Sequence, residues 1–175
     1  SSEMVIISDD KEVHGIGGVM GGLSSGCSLK TKNVFLEVAL FDPISVTKTG
    51  RKLNLQSDAR YRFERGIDPK SIVWGVDKAT KIILDLCGGE ASNITSDIIP
   101  DKKNKIVDFA VDKTLNLVGI DIQLADQIKI LERLGFVIES QDDKIVRVVV
   151  PSFRPDIDGQ ADIVEEIIRI YGYHK

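Results

Sequence analysis

The sequence of this chain predicts an α+β fold arranged in two units. Short runs rich in β-branched and apolar residues are typical of strands, whereas longer segments repeat apolar residues at helical spacing. A proline and a charge cluster at residues 100–105 (PDKKNK) interrupt both patterns. We therefore place a boundary there, between residues 1–100 and residues 101–175. With 175 residues, 42% of them hydrophobic, the chain has ample apolar content for a core.

The first unit begins with three strand-like runs, at residues 4–7, 13–20 and 33–40. The glycine-rich sequence GIGGVMGG separates the first two runs from the third. It does not match the dinucleotide fingerprint, because Met20 stands where the third glycine belongs, nor a phosphate loop, because Leu23 follows where a lysine is required. These glycines predict a close approach of the backbone, either to another strand or to a ligand.

Two helices of the first unit are predicted to begin with the same signal. Asp42-Pro43 and Asp68-Pro69 each place an N-cap acceptor before a proline at the first helical position. The second helix ends at Gly88-Gly89. Its apolar residues at helical spacing are Ile72, Val73, Val76, Ala79, Ile82, Ile83 and Leu86. The polar, basic segment NLQSDARYRFERG between the two helices is predicted to be extended or looped.

The second unit is predicted to be a compact α+β unit of about 70 residues, near the size at which a domain is stable alone. An extended FAVD segment comes first, followed by a helix from about Leu124 to Leu134. The strands FVIES and IVRVVV form a hairpin around the turn QDDK. A carboxylate-rich helix with a buried apolar stripe closes the unit.

Four carboxylates, Asp156, Asp162, Glu165 and Glu166, mark this last segment. Asp162 and Glu166 are four residues apart, so on a helix they face each other, and like charges at that spacing repel. Such a pair is either solvated or supplied with a cation. A metal bound by oxygen ligands alone would be magnesium or calcium. The charge pattern by itself favours a solvated face, with Glu165 pairing to Arg169 four residues later.

Charge and composition exclude several classes of protein. The net charge of −4 argues against wholesale wrapping of nucleic acid. A basic segment at residues 44–66 nevertheless offers either a surface for phosphates or a solvated, partly ion-paired face. No apolar run is long enough to span a membrane, and the start of this sequence shows no signal-peptide pattern. Two cysteines without a partner motif fit a reducing compartment, and two histidines exclude a histidine-rich metal site. The chain ends read as those of a fragment of a larger protein.

Six segments in order resemble the β subunit of bacterial phenylalanyl-tRNA synthetase: GGVMGG, NVFLEVALFDP, SDARYRFERGIDP, LCGGEA, LERLGF and PSFRPDI…DIVEEIIRIYGY. The resemblance extends from about residue 5 to residue 174. It implies that residues 1–100 are the C-terminal part of the B3/B4 editing region, a mixed sheet with helices. It also implies that residues 101–175 are the B5 domain, a small α+β fold similar to winged-helix DNA-binding domains.

The resemblance also implies an activity and partners. Members of this family attach phenylalanine to its tRNA with ATP and Mg²⁺ as cytoplasmic α2β2 tetramers. Aminoacylation and ATP binding take place on the α subunit, so the chain would contribute neither. The B3/B4 region hydrolyses tRNA wrongly charged with tyrosine. In the editing pocket, Glu37 corresponds to the glutamate that recognises the tyrosine hydroxyl, and Gly21 corresponds to a glycine that lines the pocket. Ser57 and Ala59 correspond to small residues that shape it.

In the B5 domain the resemblance implies a magnesium site at the boundary with the α subunit. Its acidic positions correspond to Asp156, Asp162, Glu165 and Glu166, and a site shared between subunits is expected to be weak or empty in this chain. Residues 101–175 contain eleven Lys and Arg against fourteen Asp and Glu, which argues against independent DNA binding. Two alternatives remain: a stand-alone trans-editing hydrolase, and a non-catalytic nucleic-acid-binding module.

Overall fold

The computed structural model describes residues 3–97 and 103–173, and the chain divides into two compact units, Ser1–Ile99 and Pro100–Lys175. Within the described ranges, each unit combines a small antiparallel sheet with helices. The predicted α+β class is confirmed. No helix in these ranges is both long enough and apolar enough to cross a membrane.

The sheet of the first unit has the order β1-β2-β3, with strands Ile6–Ser8, Val13–Ile16 and Met20–Gly21. Its glycines bring two stretches of backbone together. The Gly22 N–H donates to the carbonyl oxygen of His14 at 2.6 Å. A Cβ at Gly22 would lie 2.5 Å from the same oxygen. The glycines therefore serve close approach to another strand, which is one of the two uses that the sequence left open.

The predicted strand at residues 33–40 is wrong, because residues 31–42 form neither helix nor strand. A strand needs a hydrogen-bonded neighbour. The three strands of this unit pair only with one another, and no described ladder reaches the segment. Two of its apolar side chains are correspondingly exposed, Val34 by 55% and Phe35 by 93%.

Three helices follow in the first unit: α1 (Pro43–Lys52), α2 (Asp58–Phe63) and α3 (Ser71–Cys87). The Asp42 signal is confirmed, since its carboxylate accepts the Ser45 N–H at 2.8 Å. Helix α3 begins two residues later than predicted. The Asp68 carboxylate instead accepts the Lys70 N–H at 2.9 Å, in a turn that precedes the helix.

Helix α2 contradicts the prediction of an extended or looped segment. Its N-cap is Ser57, whose hydroxyl accepts the Arg60 N–H at 3.0 Å. An ion pair between Arg60 and Glu64, four residues apart, supports the same turns at 3.0 Å. One capping hydroxyl and one ion pair thus organise a short helix that has no apolar period.

Packing in the first unit places the glycine run against α1 and α2. Val19 and Val46 are each 1% exposed, and the Phe41 and Phe63 rings meet edge to face with centroids 5.0 Å apart. A Cβ at Gly17 would lie 2.7 Å from the Phe41 ring, so the backbone passes there only as glycine. Helix α3 is different, since none of its residues is fully buried.

The second unit has a sheet of order β4-β6-β5, made by Ile106–Ala110, Ile145–Val149 and Val137–Gln141. Its helices are α4 (Lys113–Val118), α5 (Leu124–Arg133) and α6 (Gln160–Tyr171). The predicted hairpin is confirmed, as are the helix from Leu124 and the closing helix. Helix α4 was not predicted, because its six residues are too few to show an apolar period.

The core of the second unit lies between the sheet and the inner faces of α5 and α6. Ile163, Val164 and Ile167 of α6 are at most 1% exposed and pack with residues of all three strands and with Leu131 of α5. One polar pair is buried with them. The Thr114 hydroxyl donates to the Gln127 side-chain oxygen at 2.7 Å, and the Gln127 amide donates to the Ile122 carbonyl at 2.8 Å, so neither side chain is left without a partner.

Candidate functional site

Ser57 joins two of the segments that the resemblance implies belong to a pocket in the first unit. Its hydroxyl donates to the Val19 carbonyl oxygen at 2.5 Å while it accepts the Arg60 N–H at 3.0 Å. Val19 lies in the glycine run two residues before Gly21. One side chain therefore caps α2 and fastens the start of that helix to the glycine run.

The other predicted pocket residues lie near the surface. Gly21 is exposed in β3, and a Cβ there would meet no heavy atom within 4 Å, so the space in front of it is open. Ala59 is exposed in the first turn of α2. Glu37 is exposed in the irregular segment before α1, and no described hydrogen bond or ion pair links it to the other three. The structure thus joins Ser57 to the glycine run by a hydrogen bond, and no described hydrogen bond or ion pair joins Glu37 to them.

Arg60 stabilises the start of α2 and packs against α1, a role that was not predicted from the sequence. Its side chain is 14% exposed and donates to the Leu55 carbonyl at 2.6 Å and to the Glu64 carboxylate at 3.0 Å. A Cβ at Gly50 in α1 would lie 2.2 Å from Arg60 Nε. The guanidinium therefore occupies the space that the glycine leaves. A glycine inside a helix and an arginine four residues before a glutamate were the available signals.

In the second unit, Glu166 is the buried centre of a charge network. Its side chain is 7% exposed, and its Oε2 lies 2.8 Å from Arg154 Nη1 and 2.5 Å from Arg169 Nη2. These two arginines lower the pKa of Glu166 from 4.5 to about 2, with the Arg154 hydrogen bond as the largest cause. A carboxylate buried on the inner side of α6 is thus ionised because two cations compensate it.

The same Arg154 also binds Asp156. Its Nη2 lies 2.5 Å from Asp156 Oδ2 and its Nε 2.9 Å from Oδ1, which holds the pKa of that aspartate below its usual value. One guanidinium therefore bridges the carboxylate of the loop before α6 and the buried carboxylate of α6. Residues 151–158 are fastened to the helix by this contact.

Asp162 and Glu165 are placed differently. Asp162 Oδ2 accepts the backbone N–H groups of Asp158 and Gly159, each at 2.8 Å, and these bonds lower its pKa. It serves the N-terminus of α6, where free N–H groups favour negative charge. Glu165 is exposed on the outer side of the helix.

As they stand, these four side chains do not fit a metal site. Asp156 and Glu166 are bound to arginine, and Asp162 is bound to backbone amides. Among the residues that the structure describes, no three Asp, Glu, His or Cys side chains converge so as to hold a metal ion. Of the pair Asp162 and Glu166, only Glu166 has a cation beside it, and that cation is a guanidinium.

Arg169 and Arg154 have partners that the sequence did not predict. Arg169 pairs with Glu166 at i,i+3, and not with Glu165 at i,i+4 as predicted. Arg154 was given no role, although its position in the sequence SFRPDI, two residues before Asp156, was the available signal. The separation of twelve residues between Arg154 and Glu166 falls outside any helical spacing rule, so only the fold brings them together.

Two protein-family models match this chain. Residues 1–88 match the family model of the B3/4 domain, and residues 107–173 match that of the tRNA synthetase B5 domain.

Similar curated proteins include the phenylalanine–tRNA ligase beta subunits of three bacteria. That of Mesorhizobium japonicum is 47% identical over 170 residues, which are 97% of this chain and 21% of that protein. That of Brucella suis is 44% identical over 174 residues, 98% of this chain and 21% of that protein. That of Novosphingobium aromaticivorans is 48% identical over 169 residues, 97% of this chain and 21% of that protein. The chain thus spans about a fifth of the length of these relatives.

Proposed function

The chain belongs to the phenylalanine–tRNA ligase beta subunit family, and we propose that residues 1–100 are part of its B3/B4 editing region and residues 101–175 its B5 domain. The two family-model matches fall within these ranges, at residues 1–88 and 107–173. The complete protein would attach phenylalanine to tRNA(Phe) with ATP, in the cytoplasm, as an α2β2 tetramer. The α subunit would bind ATP and carry out aminoacylation, so this chain would serve editing and subunit contact.

The editing proposal assigns the recognition of tyrosine to Glu37, with Gly21, Ser57 and Ala59 shaping the pocket. The observation that supports it is the hydrogen bond from the Ser57 hydroxyl to the Val19 carbonyl at 2.5 Å. It fixes the start of α2 against the glycine run, beside the open space in front of Gly21. Three of the four assigned residues therefore lie on two segments that one side chain joins.

The chemistry of discrimination follows from a single hydroxyl. The Glu37 carboxylate accepts a hydrogen bond from the tyrosine hydroxyl, and phenylalanine has no donor at that position. A site built to bind a hydroxyl rejects the analogue that lacks it by a large factor, because its own polar group is then left unpaired. Glu37 is exposed in this structure, so the bound substrate itself must shield the carboxylate from water.

Deacylation of Tyr-tRNA and Phe-tRNA by the complete subunit complex carrying Glu37→Ala tests this assignment. We expect the preference for the tyrosyl ester to fall by about tenfold or more, since the variant has lost the acceptor. Glu12→Ala is the matched control, because Glu12 is also an exposed carboxylate of the first unit. An unchanged preference in the Glu37 variant would remove the residue from the site.

For the B5 domain we propose a Mg²⁺ site shared with the α subunit and formed by Asp156, Asp162, Glu165 and Glu166. The resemblance supports this proposal, and the observed contacts set its condition. Arg154 binds Asp156, and both Arg154 and Arg169 bind Glu166, so these two carboxylates become available to a metal only when the guanidinium groups move. A partner subunit that offers Arg154 another carboxylate, or Mg²⁺ another ligand, meets that condition.

A further inference from the structure

An open groove of about 280 Å³ lies beside α1 in the first unit. Its lining comes from one side of α1 and from the residue that ends α2: Pro43, Ile44, Thr47, Lys48, Arg51 and Glu64. The groove belongs to the basic segment of residues 44–66, for which the sequence left open a phosphate-binding surface or a solvated face. It includes none of the residues assigned above to the editing pocket.

The charge of the groove is positive once its ion pairs are counted. Lys48 and Arg51 are exposed, and neither has a described carboxylate within the 4.0 Å of an ion pair. The one carboxylate in the lining, Glu64, is already engaged. Its Oε2 lies 3.0 Å from Arg60 Nε and its Oε1 lies 3.1 Å from Arg65 Nη1. Lys48 and Arg51 therefore line the open space without a described ion pair, although Asp42 attracts Lys48 electrostatically. Two such cations suit a ligand that carries more than one negative charge.

An exposed aromatic pair adjoins this groove. The guanidinium carbon of Arg65 lies 3.7 Å from the centroid of the Tyr61 ring, and Tyr61 is 62% exposed. Arg65 Nη1 also donates to the Tyr61 carbonyl at 2.6 Å, so the arginine is held over the ring. Arg65 contacts Glu64 as well, which connects the pair to the groove lining. Arginine on one face of a tyrosine leaves the other face open to a planar group.

We propose that Lys48 and Arg51 bind successive phosphates of single-stranded RNA, and that Tyr61 stacks against one of its bases. A polyanionic backbone with flat bases satisfies both features, whereas an acidic peptide satisfies the cations and leaves Tyr61 without a stacking partner. The identification of the RNA as the substrate tRNA rests on the proposed editing function. The surface itself rests only on the groove, its charges and the Tyr61–Arg65 pair.

Fluorescence anisotropy with a labelled twelve-nucleotide RNA, and with a tRNA(Phe) transcript, measures this binding between 50 and 200 mM salt. The groove variant carries both Lys48→Glu and Arg51→Glu. The control variant carries both Lys11→Glu and Lys78→Glu, which make the same change in net charge on exposed lysines elsewhere in the unit. Each lost phosphate contact reduces the slope of log K against log salt by about 0.7. We expect the groove variant to bind at least tenfold more weakly with a slope smaller by about 1.4, and the control to keep its slope.

The tyrosine is tested separately. Tyr61→Ala should weaken binding about fivefold or more, which corresponds to the loss of one stacked base, and Tyr61→Phe should bind as the wild type does. Circular dichroism spectra of all variants establish that they fold.

Equal weakening by the groove and control variants would mean attraction by net charge alone and would overturn the proposal. Binding of a ten-residue polyglutamate peptide that is as tight as RNA binding and depends on Lys48 and Arg51 would also overturn it. The same holds if the wild-type chain binds no RNA at 50 mM salt. The editing assignment is read from the deacylation preference, and this surface is read from the salt dependence of RNA binding. Failure of one is therefore distinguishable from failure of the other.

Discussion

Replacement of Glu166 by glutamine removes the charge that holds Arg154 and Arg169 while it preserves the size of the side chain. The lowering of the Glu166 pKa from 4.5 to about 2 measures how strongly the fold favours the ionised form. The difference of about 2.5 between these two pKa values corresponds to an upper limit of about 3.4 kcal/mol. Arg169 is 47% exposed and contributes little of this, and Asp156 still compensates Arg154 in the variant. We therefore expect Glu166→Gln to cost about 2–3 kcal/mol.

Native-state hydrogen exchange of the α6 amides at pH 7 measures this cost as a fall in the free energy of opening. Glu165→Gln is the matched control, because it makes the same change at the neighbouring, exposed position and should cost less than about 0.5 kcal/mol. If the two variants open with the same free energy, the network around Glu166 does not stabilise α6 and the reasoning is refuted.

The pH dependence supplies a second measurement of the same quantity. The pKa of Glu166 is lower in the folded chain than in the unfolded one, so its stabilising contribution is present above pH 4.5 and is lost as the pH falls towards about 2. Urea unfolding followed by circular dichroism at pH 5, 4 and 3 should therefore show a steeper loss of stability for the wild type than for Glu166→Gln. Parallel curves would contradict this account.

Two further predictions concern glycine packing and the metal. Gly50→Ala should destabilise the first unit by about 1–3 kcal/mol in urea unfolding, because its Cβ would lie 2.2 Å from Arg60 Nε. Gly26→Ala should be tolerated, because its Cβ would have no heavy atom closer than 3.4 Å. Equal costs of the two substitutions would exclude a clash at Gly50. Arg154→Ala should bind Mg²⁺ more tightly than the wild-type chain in isothermal titration, because it frees Asp156 and removes one of the two arginines that bind Glu166. Arg147→Ala, which removes a surface arginine paired with Asp108, should not change the affinity. Equal affinity of all three would show that Arg154 does not compete with the metal.

Local signals predicted those elements whose cause lies within a few residues. The Asp42 cap, the hairpin around QDDK and the apolar stripe of α6 depend on neighbours in sequence, and the structure confirms them. The segment 33–40 has a strand-like composition, but a strand also requires a partner that composition does not supply. Helix α2 was missed for the opposite reason, because a capping hydroxyl and one ion pair form it without an apolar pattern.

The order of amino acids establishes which chemical groups this protein carries: a basic segment before α3, a glycine run, and four carboxylates around α6. Their partners are set by the fold. Ser57 reaches a carbonyl 38 residues away, and Arg154 lies against a carboxylate that no helical period connects to it. The physical reason is one of range: caps and helical stripes act over one or two turns of chain. An ion pair or hydrogen bond between distant residues exists only where packing holds both groups within about 3 Å.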